Sequence, residues 1–238
     1  DITEQRRLEE SARGILRARR ALGAVNRVVT RSRTEPELLQ AACAALVAET
    51  RYDMAWVGFP EEGAGGRIRI HSHAGDHGGY LDELVVSWRS DRPEGQGPSG
   101  QAFRTGAPVT TGDLQGDPAT APWHHLAGRA GMHAAAAIPL NDAARPFGIV
   151  SIYSASPCTF STEEVELLQE LADELAFGIL SMRSAAEAHT ARLERDRLAA
   201  ILDATPDFVG IADPEGTILY HNQGARRILG VPPEKPLT

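Results

Sequence analysis

"MHAAAAIPLNDAARPFGIVSIYSA", residues 132–155, contains two apolar runs separated by a short polar segment. The runs "MHAAAAIPL" and "FGIVSIYSA" have the length and composition of β-strands, and "NDAARP" has the residues of a turn. Apolar runs bounded by turn residues are typical of strands that lie inside a folded domain. We therefore predict two adjacent strands here, and the neighbouring segments are interpreted around them.

Two further strands are predicted upstream of this pair. "MAWVGF" (54–59) and "RIRIHSHA" (67–74) flank the glycine-rich segment "EEGAGG", which is a hairpin signal. A helix running to about Glu49 precedes them, because "TEPE" (34–37) forms a capping box with proline in the first turn. "GYLDELVVSW" (79–88) is predicted to change from helix to strand.

The segment that follows is predicted to be largely irregular. Within residues 89–109 a short helix is expected to be capped by Ser99 and to end at Gly106. A strand "PVTTGD" comes next, and then a second short helix that ends at Gly131. Long irregular stretches inside compact domains are usually functional, so this region is the first place to look for a site.

A single long helix is predicted after the central strands. "STEE" (161–164) is a second capping box, and only Gly178 interrupts the run of residues without Gly or Pro before Pro206. A helix from Ser161 to about Asp203 would be roughly 65 Å long at about 1.5 Å per residue. That length exceeds the diameter of a domain of this size, so the helix is expected to break or to project as a connector.

The two ends of the chain suggest connecting segments. An apolar heptad spacing predicts a dimeric coiled-coil helix near the N-terminus, with a helix packed on its own domain as the alternative. Near the C-terminus, two short strands and a small helix ending at Gly230 bury too little to fold alone. The predicted heptad residues are Leu8, Ile15, Leu22 and Val29, with Val25 at an alternate position.

Composition excludes several classes of protein. The net charge of −8 is uneven, since residues 1–33 hold nine Arg and four acids and so carry +5, which leaves −13 elsewhere. The acidic body and the lack of aromatics among the arginines argue against nucleic-acid binding. No run is apolar enough for a membrane segment. Cys43 and Cys158 lie far apart, so a zinc site is not indicated and a reducing, cytoplasmic setting is predicted.

The order of these elements from residue 34 to about 180 resembles a GAF domain, a sensory module of signalling proteins. The segments that carry the resemblance are "ELLQAACAALVAETRYDMAWVGF", "GQGPSGQAFRTGAPV", "PWHHLAGRAGMHAAAAIPL", "FGIVSIYS" and "TFSTEEVELLQELADELAFGI". The resemblance implies an α/β (α+β) fold, with a GAF-like central antiparallel sheet flanked by helices and long N- and C-terminal signalling helices.

Both ends of the chain resemble parts of a PAS domain. "LAAILDATPDFVGIADPEGTILYHNQGARRILG" is similar to the first half of that family, and "DITEQRR" is similar to its final strand followed by a signalling helix. The resulting division is 1–33, PAS-terminal motif and helix; 34–180, GAF domain; 181–203, linker helix; and 204–238, the start of a PAS domain. Such an order implies a sensor histidine kinase or a diguanylate cyclase as the parent protein.

The chemistries known in the GAF family can be compared with these residues. Bilin-binding members have Cys followed by His, but Cys43 and Cys158 are followed by Ala and Thr, which argues against covalent bilin attachment. The Asn-Lys-x-Asp pattern of cyclic-nucleotide binders does not occur. Methionine sulfoxide reductases of this fold use several cysteines near the cavity. Here Cys43 is predicted to lie in a core helix and Cys158 precedes the final helix, so this alternative is disfavoured. His71, His73 and His77 lack an acid or Cys that would complete a metal site. No catalytic residues are predicted.

A ligand cavity is predicted where residues 88 to 133 roof the sheet, as the family resemblance implies. "GQGPSG" offers free backbone N–H groups near a helix start, which suits a small anion or carboxylate, and His133 is the candidate for a haem ligand. The predicted function is a homodimeric sensory module that binds a small molecule and signals through its helices; a ligand-free scaffold is the alternative. The predicted ligand-binding residues are Trp88, Gln96, Ser99, Phe103, Asp113, Trp123 and His133.

Overall fold

The structure is a computed structural model that describes residues 2–230, apart from 51, 62, 64, 76–77, 144 and 157–159; side chains are described from residue 8 onward. It contains seven α-helices and eight strands in the described part of the chain. In order these are α1 (Ile2–Arg31), α2 (Glu35–Thr50), β1 (Met54–Pro60), β2 (Arg67–Ala74), α3 (Tyr80–Glu83), β3 (Val86–Ser87), α4 (Pro98–Thr105), β4 (Val109–Thr111), α5 (His124–Ala130), β5 (Ala134–Asp142), β6 (Arg145–Ser154), α6 (Thr162–Ala204), β7 (Gly210–Ala212), β8 (Ile218–His221) and α7 (Gln223–Leu229).

The predicted central strands pair as expected. β5 and β6 form the longest ladder, from Ala134 opposite Ser154 to Asp142 opposite Arg145, with a register shift after Leu140. They lie inside a six-stranded antiparallel sheet with the order β3-β2-β1-β6-β5-β4. The predicted α+β fold, an antiparallel sheet flanked by helices and followed by a long C-terminal helix, is confirmed.

The sheet is buried on both faces, and alternate residues of each strand serve two separate cores. Ala134, Ala136 and Ile138 of β5 face a core shared with α1, α2 and α6, which we call the helix-side core. Ala135 and Ala137 face the opposite core, built with α3, α4, α5 and the loops around them, which we call the cavity-side core. Since side chains alternate along a strand, each strand contacts both cores at once.

Both predicted capping boxes begin helices, although neither is fully reciprocal. The N–H of Glu37 donates to Thr34 Oγ1 (3.4 Å) at α2, and the N–H of Glu164 donates to Ser161 Oγ (3.2 Å) at α6. The Glu37 carboxylate instead accepts from the N–H of Arg33 (2.9 Å). The Glu164 carboxylate turns inward, away from its own helix end, and is 1% exposed.

The predicted long helix is confirmed. α6 runs for 43 residues without a break, which is roughly 65 Å at about 1.5 Å per residue. Its buried positions occur only between Glu164 and Ile179, where it covers the helix-side core. The chain accordingly divides into two compact units, residues 1–182 and 183–238.

In the second unit a hairpin of β7 and β8 precedes α7, as predicted. The buried side chain of Asn222 organises this unit. Its Oδ1 accepts from the N–H groups of Val209 (3.0 Å) and Ala225 (2.8 Å), and its Nδ2 lies within hydrogen-bond distance of the carbonyl oxygen of Leu202 (2.8 Å).

α1 packs on its own domain along a face of small residues. Gly14, Ala18, Ala21 and Val25, spaced four, three and four apart, are buried, and the last three belong to the helix-side core. Of the predicted heptad residues, Leu22 and Val29 pack against the same core, Ile15 is half-buried and Leu8 is 67% exposed. The alternative of a helix packed on its own domain therefore describes the second half of α1.

Ile2 and Thr3 lie in α1, so their interpretation as the end of a strand is wrong in this structure; the helix-forming residues that follow extend the helix to them. Within the described residues, no helix has both the length and the apolar character that crossing a bilayer demands. In the same part of the chain, no three His, Cys, Asp or Glu side chains cluster in an arrangement that could hold a metal ion.

Candidate functional site

A small cavity lies between the sheet and the loops and short helices that cover its cavity-side face. The volume open to the centre of a water molecule is about 20 Å³, enough for about one water. Its lining is mainly apolar, with a few hydroxyl groups: Tyr80, Leu84, Val86, Pro98, Ser99, Leu114, Thr120, Trp123, Ala135, Ala137, Ser151 and Tyr153.

The floor of the cavity follows from the alternation of β5 and β6. Ala135 and Ala137 are small, so they leave space above the sheet, and their neighbours Ser151 and Tyr153 on β6 supply hydroxyl groups on the same face. All four residues are buried, with at most 5% exposure. The strands that define the fold therefore also define the floor of the cavity.

Two tyrosines and a tryptophan form a buried aromatic group at the cavity wall. Trp56 Nε1 donates to the Tyr153 hydroxyl (3.2 Å). The Tyr80 and Tyr153 rings meet edge to face with centroids 5.6 Å apart. Burial is the main reason that the pKa of Tyr153 rises to about 12 and that the pKa of Tyr80 rises well above its ordinary value.

Alkaline titration should reveal this burial. We expect Tyr153 and Tyr80 to remain protonated through pH 10, the ordinary tyrosine pKa, because burial disfavours phenolate. A folded-state pKa raised above the unfolded value contributes stability below pH 10, which is lost as pH rises through about 12. Absorbance at 295 nm measures ionisation: Tyr153→Phe should lose amplitude only near pH 12, and a loss near pH 10 would contradict the assignment.

A pair of serines also lines the cavity. Ser99 Oγ and Ser151 Oγ are 2.9 Å apart, and their side chains are 8% and 1% exposed. The prediction that Ser99 caps α4 is wrong: Gly97 occupies the N-cap position without a side-chain cap, and Ser99 lies inside the first turn. Its hydroxyl is directed instead to the serine on β6. The predicted end at Gly106, with φ 68°, is confirmed.

The roof is fixed by a few polar contacts. Trp123 Nε1 donates to the carbonyl of Val85 (3.0 Å), and the Trp123 ring lies against Gly97, where a Cβ would clash with it. Arg104 Nη1 donates to the carbonyl oxygens of Gly95 (2.6 Å) and Trp88 (3.1 Å), which holds the loop before α4. These contacts join the roof segments to one another.

The structure brings only part of the predicted ligand set together. Ser99 and Trp123 line the cavity. Gln96 lines a neighbouring surface cleft of about 460 Å³, and its Nε2 donates to the carbonyl of Ser90. Trp88 and Phe103 are half-buried and pack on each other with centroids 6.3 Å apart; neither lines the cavity.

The two remaining predicted residues have structural partners elsewhere. Asp113 Oδ1 accepts from the N–H of Gly116 (2.9 Å) and so stabilises a loop. His133 is half-buried, its backbone pairs with Ser154 (2.9 Å), and it does not line the cavity, so it is not placed to hold a haem there. The cavity lining contains no Lys, Arg or His that would neutralise the anion predicted at the start of α4.

Sequence reasoning missed the hydroxyl residues of the sheet. Tyr80, Ser151 and Tyr153 were read only as parts of a helix and a strand, although the alternation of "IVSIYS" puts Ser151 and Tyr153 on one face. That alternation, taken with the alanines of β5, is the signal that could have found the floor. Thr120 was missed as well, and its hydroxyl donates to the carbonyl of Leu114 (3.0 Å).

The fold and the site together define a class of protein: an α+β domain with one antiparallel sheet, helices on one face, and an enclosed cavity under irregular loops on the other. Comparison with protein families gives the specific assignment. The GAF domain family matches residues 32–179, more than half of the chain, and the chain belongs to this family. Comparison with curated proteins finds no significant match.

Solved structures agree with this fold. The GAF domain of a phosphoenolpyruvate-protein phosphotransferase from Coxiella burnetii is 18% identical, with a TM-score of 0.59 over 73% of this chain and 98% of that one. The nlh2 GAF domain of A. aeolicus, in an inactive state, is 19% identical, with a TM-score of 0.54 over 71% and 98%. At these identities the likeness concerns the fold alone.

A free methionine-R-sulfoxide reductase from Neisseria meningitidis is also similar, with 20% identity and a TM-score of 0.57 over 71% of this chain and 91% of that one. In this chain Cys43 belongs to the helix-side core, across the sheet from the cavity. Burial raises the pKa of its thiol to about 12, so it does not form the reactive thiolate at neutral pH. Cys158 lies outside the described residues.

Proposed function

We propose that this GAF domain is a sensory module that binds a small molecule in the cavity and passes the resulting change to its flanking helices. The observation that carries the proposal is the position of β6 between the cavity and the helices. Ser151 and Tyr153 line the cavity, while Val150 and Ile152 belong to the helix-side core. A displacement of this strand by a ligand therefore acts directly on α1 and α6.

A second connection runs through residues 52 and 53. The carbonyl of Tyr153 accepts from the N–H of Asp53 (2.9 Å), and the neighbouring Tyr52 hydroxyl donates to Glu164 Oε1 (2.9 Å) at the start of α6. Arg17 of α1 also donates to this oxygen (3.3 Å). A short covalent and hydrogen-bonded route thus leads from the cavity wall to both helices. We call Arg17, Tyr52 and Glu164 the helix junction.

We further propose that this module acts within a multidomain protein. The division at residue 182 supports a separate downstream unit, and its hairpin and helix agree with the resemblance to the start of a PAS domain. A parallel homodimer is proposed through the first half of α1, where Leu8 is 67% and Leu16 is 50% exposed. A histidine kinase or a diguanylate cyclase is the proposed output of the parent protein.

The proposal can be tested without knowing the ligand. Ala137→Val adds two methyl groups to the cavity floor, whereas Thr110→Val introduces the same side chain at an exposed position of the neighbouring strand. We expect the cavity variant alone to lose small molecules that co-purify with the wild-type protein, detected by mass spectrometry after denaturation. We also expect it alone to change hydrogen–deuterium exchange in α1 and in the first turns of α6.

Two outcomes would count against the proposal. If neither variant changes exchange in the helices, the cavity and the helix junction are not coupled, and a ligand-free scaffold becomes the better description. If Thr110→Val has the same effects as Ala137→Val, the changes reflect general destabilisation of the sheet. Neither result would alter the assignment to the GAF family, which rests on sequence.

A further inference from the structure

The hydroxyl groups at the cavity wall have more protons to donate than there are acceptors for them among the described residues. Trp56 Nε1 can only donate, so the Tyr153 oxygen accepts that bond. The Tyr80 ring lies against the Tyr153 ring, and a hydrogen bond between the two hydroxyls can use only one of the two phenolic protons. At least one phenolic proton of this pair is therefore left without an acceptor among the described residues. Tyr80 and Tyr153 are 2% and 5% exposed.

The serine pair gives the same count. One hydroxyl donates to the other across 2.9 Å, and the second proton has no acceptor in the described part of the chain. A buried donor without a partner is unfavourable, because it has lost its hydrogen bond to water without gaining another. Two such donors, one from the Tyr80–Tyr153 pair and one from the Ser99–Ser151 pair, belong to side chains that line the same cavity.

The lining also limits the charge of anything that binds. None of the twelve lining residues is Asp, Glu, Lys, Arg or His, and the two tyrosines that line the cavity stay neutral because their pKa values are raised. An ion moved into such a site would lose its hydration without gaining a counter-charge, and this cost exceeds that of a neutral polar group many times over.

We propose that the cavity selects small uncharged molecules that carry hydrogen-bond acceptors, such as a carbonyl oxygen or a ring nitrogen, on an apolar body. The acceptors take the spare protons of the two hydroxyl pairs, and the apolar body lies against Leu84, Leu114 and Trp123. This inference rests on the proposed function of the cavity. Because the cavity has room for only about one water, binding such a molecule requires the roof to move away from the sheet.

Three probes with the same number of heavy atoms separate the effect of a hydrogen-bond acceptor from the effects of charge and of an apolar body. Acetophenone is neutral with one acceptor, benzoate is its anionic analogue, and cumene has the same shape without an acceptor. Binding would be measured by chemical-shift titration at pH 7 with the full chain. We expect acetophenone to bind most tightly, cumene more weakly, and benzoate not detectably.

Variants then test the hydroxyl groups. Ser151→Ala and Tyr153→Phe should each weaken acetophenone binding about fivefold, the worth of one hydrogen bond, and leave cumene binding unchanged. Ser154→Ala is the matched control, because Ser154 is a buried serine of the same strand that does not line the cavity. It should leave binding of both probes unchanged.

Different failures have different meanings. If benzoate binds as tightly as acetophenone, or if neither Ser151→Ala nor Tyr153→Phe weakens acetophenone, the proposed ligand class is wrong while the cavity remains a binding site. If none of the three probes shifts any cavity resonance at millimolar concentration, the cavity is closed core. In that case the proposed sensory function fails together with this inference.

Discussion

Glu164→Ala is expected to lower the free energy of unfolding by about 2–3 kcal/mol, because it removes the acceptor at the centre of the helix junction. The Glu164 side chain is 1% exposed and accepts from Tyr52 (2.9 Å) and Arg17 (3.3 Å). Without it a buried phenol and a largely buried guanidinium lose a shared partner. The value lies below the usual range for buried pairs because Arg17 keeps 22% exposure. Urea unfolding measures the change.

Glu163→Ala is the matched control for this prediction. Glu163 is exposed and lies in the same first turn of α6, so its loss removes only a favourable interaction with the helix dipole, about 0.5 kcal/mol. A double-mutant cycle with Tyr52→Phe should give a coupling energy of about 1.5–3 kcal/mol, as expected for a buried hydrogen bond to a charged group. Equal effects of the two glutamate variants would show that the helix junction does not stabilise the fold.

Gly100→Ala is expected to lower the free energy of unfolding by about 2–3 kcal/mol, because overpacking against rigid backbone costs that much. Gly100 is buried in the first turn of α4, and a Cβ there would clash with the carbonyl oxygens of Gly95 and Ser87. Neither is a flexible side chain that can turn away. The loop before α4 must therefore shift, and with it the roof of the cavity. Thermal unfolding with tryptophan fluorescence reports both effects.

Gly128→Ala provides the comparison, since Gly128 also lies in a short roof helix. A Cβ at this exposed position would meet only Gln115 Oε1 at 4.0 Å, so no atom has to move. Because alanine is the better helix former, this variant should gain up to about 1 kcal/mol of stability. If Gly100→Ala proved as stable as Gly128→Ala, the close packing of α4 on the loop and β3 would be wrong.

The strands and helices could be predicted from sequence because their signals are local. The apolar runs of β5 and β6, the capping boxes at Thr34 and Ser161, and the absence of breakers in α6 each lie within a few residues. Prediction was less successful where one residue type could serve either of two structural roles. Ser99 is a typical N-cap residue, but its hydroxyl pairs with Ser151, 52 positions away.

The cavity could not be predicted residue by residue because its walls come from distant parts of the chain. Tyr80 and Tyr153 are in contact although 73 positions separate them in the sequence, and neither residue belongs to a recognisable motif. The family resemblance drew attention to residues 88 to 133, yet it could not tell Trp123, which lines the cavity, from Trp88, which packs on Phe103.

The heptad spacing of α1 shows a related ambiguity. An apolar stripe shows that one face of a helix is buried, but it does not identify the surface that buries it. Leu22 and Val29 contact the core of the same domain. Gly14, which no apolar pattern would select, lies so close to α6 that a Cβ there would clash with the Glu164 carboxylate.

The bonds of Asn222 determine how the far end of α6 behaves mechanically. One side chain is within hydrogen-bond distance of the carbonyl oxygens of Leu202, Thr205 and Asp207, and it also accepts two N–H groups from the hairpin and α7. Asn222 is therefore hydrogen bonded to the chain on both sides of Pro206. We therefore expect a rotation or translation of the last turn of α6 to be passed to the β7–β8 hairpin. The rigidity of this connection depends on one side-chain amide, that of Asn222.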